Sequence, residues 1–234
     1  MSEPVKLLGS LGSPYVHRAE VALRLKGVPY ELILEDLDDK SELLFTHNPA
    51  NEKVPVLLHG DRPAICESLV IVEYIDETFE GPPLLPADSH GRAMARFWAR
   101  FVDEKCSMSM WGALIWMIAG HAHSEPAETV KDNLTLLERQ LPEGKRFFGG
   151  NTIGYLDIAI GGITLWLGVF EEVAGVPLLT EEKHPALCRW VRDYMADETV
   201  RRCLPERGHL VATLTARKEL YVGLAKPAVP HAQE

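Results

Sequence analysis

The chain has 234 residues, 46% of them apolar and 25% charged, with a net charge of −10. This length and composition suit one or two domains with a real core and exclude a chain disordered throughout. The acidic balance argues against nucleic acid or an anionic membrane as the main partner, since both need basic surface. Any anionic ligand must then be held by local charge.

In chain order, Val5–Leu8 reads as a short buried strand. From Tyr15 to Lys26 apolar residues fall at helical spacing, and Gly27 stands at the natural stop. Tyr30, Leu32 and Leu34 alternate with Glu31, Ile33 and Glu35, which predicts a strand with one wetter face. Ser41–His47 reads as a short helix ended by Asn48-Pro49. Val54–His59 and Pro63–Cys66 flank Gly60-Asp61, a hairpin signal. Ser68–Phe79 is helical again. The order βαβ then ββα gives a thioredoxin-like topology if the first pair is parallel through a right-handed crossover.

Glu80–Pro86 holds three prolines and a glycine, a stiff linker. No strand pattern follows it. Asp88–Gly120 predicts one long helix capped by Asp88, and Ser124–Leu141 another capped by Ser124. Gly154–Val173 is apolar nearly all round and predicts a buried central helix. At its start Gly154 removes the side-chain half of a capping box, while Asp157 keeps the other half. Shorter helices are predicted over Pro185–Met195, Asp197–Leu204 and Gly208–Tyr221, with a frayed tail from Ala225. The domains expected are 1–79, a linker 80–87, 88–224 and the tail 225–234.

Met1 to Lys6 lack the basic lead and apolar stretch of a signal peptide. The apolar windows 108–119 and 158–170 are too short or too glycine-interrupted to span a bilayer. Cys66, Cys106, Cys188 and Cys203 lack metal or redox spacing and are expected as reduced thiols. His121-Ala122-His123 is not a metal pair, because positions i and i+2 of a helix point apart. Asn133-Leu134-Thr135 is expected to be a chance match to a glycosylation acceptor. A cytoplasmic protein without a metal is expected.

Three pieces carry chemistry. Ser13-Pro14-Tyr15 puts a hydroxyl at a helix start just after the first strand. Lys53-Val54-Pro55 precedes a strand, and Glu67-Ser68 precedes a helix. Together they read as a pocket for a small anionic peptide, with a serine where a thiol can be ionised. Each has a plainer reading. Ser13 and Ser68 are good helix caps, Tyr15 is a packing aromatic, and Lys40 and Lys53 are solvated charges. Ser10 is the nearest rival hydroxyl to Ser13.

The order and spacing of these pieces resemble the glutathione-binding half of a glutathione S-transferase. Ile65–Glu77, and Asn48-Pro49 followed by Lys53–Leu57, are very similar to the plant tau class. The resemblance implies a thioredoxin-like α/β N-terminal domain, an all-α C-terminal domain, and glutathione as co-substrate. It implies that Ser13 donates to the glutathione sulfur and that a cis Val54–Pro55 bond exposes Val54 to pair with the tripeptide as a short extra strand. Lys53 or Lys40 would meet the glycyl carboxylate, Glu67 the γ-glutamyl ammonium, and Ser68 the γ-glutamyl carboxylate. Apolar electrophiles would lie between the domains against Tyr15, Met108, Trp111, Ile115 and Trp166, for which plain core packing is the alternative. Tyr15 stands where the class usually has Phe. A homodimer is also implied. Besides conjugation, glutathione-dependent hydroperoxide reduction and non-catalytic carriage of apolar ligands stay open.

Overall fold

Strand β1 (Val5–Gly9) is one of the two inner strands of a four-stranded sheet. The computed structural model describes residues 3–121 and 124–224. From β1 the chain passes through α1 (Pro14–Leu25) to β2 (Glu31–Leu34), which is parallel to β1. After α2 (Glu42–His47), β3 (Val56–His59) runs antiparallel to β1, and β4 (Ile65–Cys66) antiparallel to β3. Helix α3 (Ser68–Thr78) packs back on the sheet. This is the thioredoxin-like order that the periodicities predict.

Local chemistry explains several ends. Val16 N–H donates to Ser13 Oγ (3.3 Å) and Leu44 N–H to Ser41 Oγ (3.2 Å), so both serines cap their helices. Gly27, just past α1, has φ 66°, a conformation that glycine adopts without strain. Two expectations fail in this half. The alternation predicted for Tyr30–Glu35 breaks at its end: Leu34 is 56% exposed and Glu35 only 7%. Glu35 is buried because Ser41 donates both its hydroxyl (2.8 Å) and its amide (3.3 Å) to the carboxylate. Nor does Ser68 cap α3. Glu67 holds that position at φ 67°, and Ser68 is the first helical residue.

The linker is pinned as well as stiff. Leu84 and Leu85 amides donate to Asp76 (2.9 and 3.0 Å), and Lys26 pairs with the same carboxylate at 2.7 Å. Burial alone would raise the pKa of Asp76, but Lys26 and the two amides outweigh it and hold it below its ordinary value. Helix α4 (Ser89–Phe101) follows, capped by Asp88 through Gly91 N–H at 2.7 Å.

The single long helix expected over 88–120 is interrupted. A π-helical stretch, Val102–Ser107, joins α4 to α5 (Met108–Ile118). The π-helical turn carries no glycine or proline to mark it, so the sequence reading passes over it. Helix α6 (Glu125–Glu138) starts after Ser124, whose hydroxyl is buried and makes no cap bond. Asn133 is buried, with its amide donating to the Lys105 carbonyl and to Ser109 Oγ (both 3.2 Å), consistent with a chance glycosylation match.

Helix α7 (Tyr155–Ala174) is the buried centre of the helical part. Asp157 receives the amides of Gly154, Phe148 and Gly149 and the Trp190 indole at 2.7–2.9 Å. The retained half of the capping box is thus a hub for the preceding loop. Helices α8 (Pro185–Ala196) and α9 (Glu198–Arg201) follow. The last predicted helix is two, α10 (Arg207–Ala216) and α11 (Lys218–Leu224), broken at Arg217. The tail, Ala122 and His123 lie outside the described residues. No helix among the described residues is long and apolar enough to cross a membrane.

His17 on α1 is buried against α8 and the end of α9. Its Nδ1 lies 3.3 Å from the Cys203 carbonyl and its Nε2 3.1 Å from the Tyr194 hydroxyl. A carbonyl only accepts, so Nδ1–H is the donor and Tyr194 O–H donates to Nε2, which keeps the ring neutral. Burial dominates and lowers the His17 pKa from 6.5 to about 4, despite the Cys203 carbonyl. Between these two values the unfolded chain binds a proton that the folded chain refuses. Stability is therefore lost as pH falls from 6.5 towards about 4, by up to ~3 kcal/mol. Thermal melts between about pH 7 and about pH 4.5 should show this slope in the wild type and a flatter one in His17→Gln. Equal slopes would assign the acid sensitivity to other groups.

Candidate active site

The sheet register gathers the three sequence pieces at one end. Gly9 pairs with Leu34, Leu8 with Val56, and Val56 with Cys66. The segments after β1, β2 and β4 and the one before β3 therefore all leave from the same edge. Ser13, Glu35, Val54 and Glu67-Ser68 lie on those segments.

Ser13 is half-buried. Its oxygen accepts from Val16 N–H, so its own proton stays free to donate. The two readings of this residue are thus compatible: it caps α1 and still offers a hydrogen bond. No acid stands in the first turn of α1, so no residue of the helix itself offsets its positive end, which faces the same space. Helix α7 fixes the loop. Trp166 Nε1 donates to the Gly12 carbonyl (2.7 Å), and Gly12 has φ 78°. Gly162 packs so closely on Pro14 that a Cβ there would be driven into the Pro14 carbonyl.

Across the sheet end, the Val54–Pro55 bond is cis. The amide and carbonyl of Val54 make no hydrogen bond to any described residue. The Lys53 carbonyl accepts from Asn48 Nδ2 (2.9 Å), while its ammonium is exposed and unpaired among the described residues. Lys40 Nζ lies 3.5 Å from Glu52. Glu67 is exposed, its backbone in the left-handed region, and accepts from Asn51 Nδ2 (3.2 Å). A non-glycine residue held there costs about 1–3 kcal/mol, which the surrounding contacts must offset. Ser68 is buried and its Oγ accepts from Arg18 Nη1 (3.1 Å), which leaves the Ser68 proton and the first amides of α3 available to an anion.

Arg18 is fully buried. Besides Ser68 it donates to both oxygens of Asp103 (2.6 and 3.2 Å) in the π-helical stretch and twice to the Ala159 carbonyl of α7 (2.7 and 3.0 Å). Its guanidinium also lies 5.1 Å from the centre of the Tyr15 ring.

A cavity of about 730 Å³ opens beside Ser13, between the sheet end and α5, α7 and α10. Tyr15, Trp111 and Trp166 line it. Met108 and Ile115 do not. Met108 is 73% exposed, and the cavity covers only one turn of α5, so the stripe 108, 111, 115 meets it only at Trp111. Sequence reasoning missed Leu11, Leu34 and Leu37 from the loops and Leu210 and Leu214 from α10. The place of Leu11 beside Gly12 in the Ser13 loop was an available signal; the others carried none, since the alternation of Tyr30–Glu35 fails at Leu34.

The chain's own thiols are poor nucleophiles. Burial pushes Cys106 and Cys203 up to about 12, and it raises Cys188 and Cys66 as well, the latter aided by the Glu67 charge. No group that could hold a metal occurs among the described residues.

Comparison with known proteins decides the family. Residues 12–78 match the glutathione S-transferase N-terminal domain model and residues 108–198 the C-terminal one. A maize protein, glutathione transferase GST 23, is 46% identical over 92% of this chain and 96% of its own.

The chain belongs to the glutathione S-transferase family.

Glutathione S-transferase U8 of Arabidopsis thaliana is also 46% identical, over 92% of this chain and 95% of that protein. The crystal structure of the tau class transferase from mango superposes with a TM-score of 0.83 at 44% identity, covering 91% of this chain and 98% of that one. Rice GST1, crystallised with glutathione, gives 0.80 at 34% identity over 94% and 99%. Within the family the chain is similar to the tau class, as the motifs implied. Helix α7 meets α1 at close range at Gly162. Gly162→Ala is expected to cost about 1–3 kcal/mol of stability, because the clash is with backbone and cannot be relieved by a rotamer. It should also lower turnover more than glutathione affinity, since it displaces the Ser13 loop. Urea unfolding and steady-state kinetics check both. A variant with native stability and turnover would refute the close approach.

Proposed function

We propose that the protein joins the sulfur of glutathione to apolar electrophilic small molecules. The observation that carries this reading is a serine hydroxyl with a free proton, at the positive end of a helix, opening onto a largely apolar cavity. A free thiol of pKa about 8.5 is only a few per cent thiolate at neutral pH. Lowering it by about two units requires roughly 2.7 kcal/mol of preference for the thiolate. One charge-assisted hydrogen bond from Ser13 and the α1 dipole supply energy of that order.

Glutathione lies extended along the sheet end in this reading. Val54 pairs with it through its free amide and carbonyl, like an added strand. Lys53, and Lys40 once released from Glu52, face the glycyl carboxylate. Glu67 takes the γ-glutamyl ammonium, and the Ser68 hydroxyl with the first amides of α3 takes its carboxylate. Residues 1–79 form the glutathione-binding unit and 88–224 the unit that completes the electrophile pocket. The thiol proton leaves to solvent. The thiolate then attacks the electrophile; with an aryl halide the carbon–sulfur bond forms, the carbon–halogen bond breaks and halide departs. Tyr15, Trp111 and Trp166 wall the pocket. No metal and no covalent enzyme intermediate takes part.

Two copies are expected to associate through α3 and α4, where Val70, Met94 and Phe97 stand exposed around the Arg96–Glu73 pair. Such a face, apolar with a charged centre, suits a second copy of itself better than water. The site of action in this reading is the cytoplasm. Hydroperoxide reduction would draw on the same thiolate and carriage of apolar ligands on the same cavity, and no separate feature among the described residues favours either.

Ser13→Ala should lower kcat with a chloronitrobenzene by about 10²-fold, with glutathione affinity changed by no more than about threefold. Turnover close to wild type would remove Ser13 as the activator. Cumene hydroperoxide at saturating glutathione provides the comparison with peroxidase chemistry.

A further inference from the structure

The cavity beside Ser13 is apolar in its walls but acidic at its mouth. Trp111 and Trp166 stand with ring centres 5.7 Å apart, tilted by 48°, and both rest on Phe170. The Trp166 indole N–H is engaged by the Gly12 carbonyl, so that ring offers a ligand its π surface and no donor. At the mouth stand Glu35, Asp36 and Asp38. Glu35 is held by Ser41, while Asp36 and Asp38 are exposed on the loop after β2. Arg217, between α10 and α11, is the one guanidinium or ammonium among the described lining residues, and it lies 3.9 Å from Asp38. His209 also lines the mouth. The exposed Asp36 and Asp38, together with the buried Glu35, thus outnumber the one cation of the described lining, and the thiolate of bound glutathione adds a further negative charge.

Two independent features favour the same ligand. A carboxylate on the substrate would meet net repulsion at the mouth and bring its charge against two indole faces that cannot hydrogen-bond it there. A cationic substituent would be attracted by the rim and could rest on a tryptophan face. We propose that this cavity selects planar aromatic electrophiles by charge, accepting neutral and cationic ones and rejecting those that carry a carboxylate. The proposal rests on the transferase reading and gives it a substrate class. The chemistry is unchanged: sulfur displaces chloride, the carbon–sulfur bond forms, and chloride leaves with the bonding pair.

The test uses three ortho-nitrochlorobenzenes that differ only para to the chlorine, where they carry a nitro, a carboxylate or a trimethylammonium group. For each, kcat/KM is divided by the rate constant with free glutathione thiolate, which removes intrinsic reactivity. The normalised cation-to-carboxylate ratio should be about tenfold or more at low salt and shrink as ionic strength rises. The double variant Asp36→Asn, Asp38→Asn should cut that ratio about threefold or more, and Arg217→Gln should raise it. A ratio near one, or one that the double variant leaves unchanged, overturns the charge selection while the transferase reading stands. If none of the three compounds is turned over, the transferase reading fails and the proposal falls with it.

Discussion

Arg18 carries a full charge with no solvent contact, and the arrangement of the two halves of the chain follows from how that charge is satisfied. Five hydrogen bonds reach it from three elements: Ser68 at the head of α3, Asp103 in the π-helical stretch, and the Ala159 carbonyl on α7. A buried ion left without its partner is destabilising by about 3–5 kcal/mol, so neither half can shift relative to the other without exposing or orphaning the guanidinium. The wide turn in the long helix acquires a reason here, since Asp103 belongs to it. Arg18 also lies on the same helix as the capping serine, one turn further in, so whatever fixes Arg18 fixes the start of α1.

The contact between α1 and α7 then positions the chemistry. Ala159, Gly162 and Trp166 are spaced three and four residues apart and share one face of α7. That face meets Arg18, Pro14 and Gly12 in turn, by hydrogen bond, by close approach and by hydrogen bond. A helix that is among the most buried elements of the protein thus presses directly on the loop that presents Ser13. Catalysis by hydrogen-bond donation depends on a donor already in place, because a donor that must reorganise gives back much of its advantage. In the proposed function the preorganisation of the Ser13 hydroxyl comes from the half of the molecule that does not itself carry it.

Much of this was legible in the sequence, for identifiable reasons. Strands and helices of the first half announce themselves by period, and the caps Ser13 and Asp88 are local signals read without tertiary knowledge. The motifs around Val54 and Glu67 were legible because each joins unusual neighbours at a strand or helix boundary. The rest depended on contacts distant in sequence. Nothing near Glu35 marks it for burial until Ser41 folds back on it, and that same turn pushes Leu34 outward into the cavity wall. Arg18 reads as a surface charge on a helix until Asp103, 85 positions later, arrives to meet it. Met108 and Trp111 share a stripe, yet the cavity, lined on another side by residues of α10 far along the chain, takes in only Trp111.

In the proposed function the anchored Ser13 hydroxyl makes a bound thiol acidic. Titrating thiolate absorbance in the protein–glutathione complex reads that acidity itself. The expected midpoint lies about two units below the free thiol's value of about 8.5. A midpoint equal to that of free glutathione would contradict it, however closely the fold resembles its relatives.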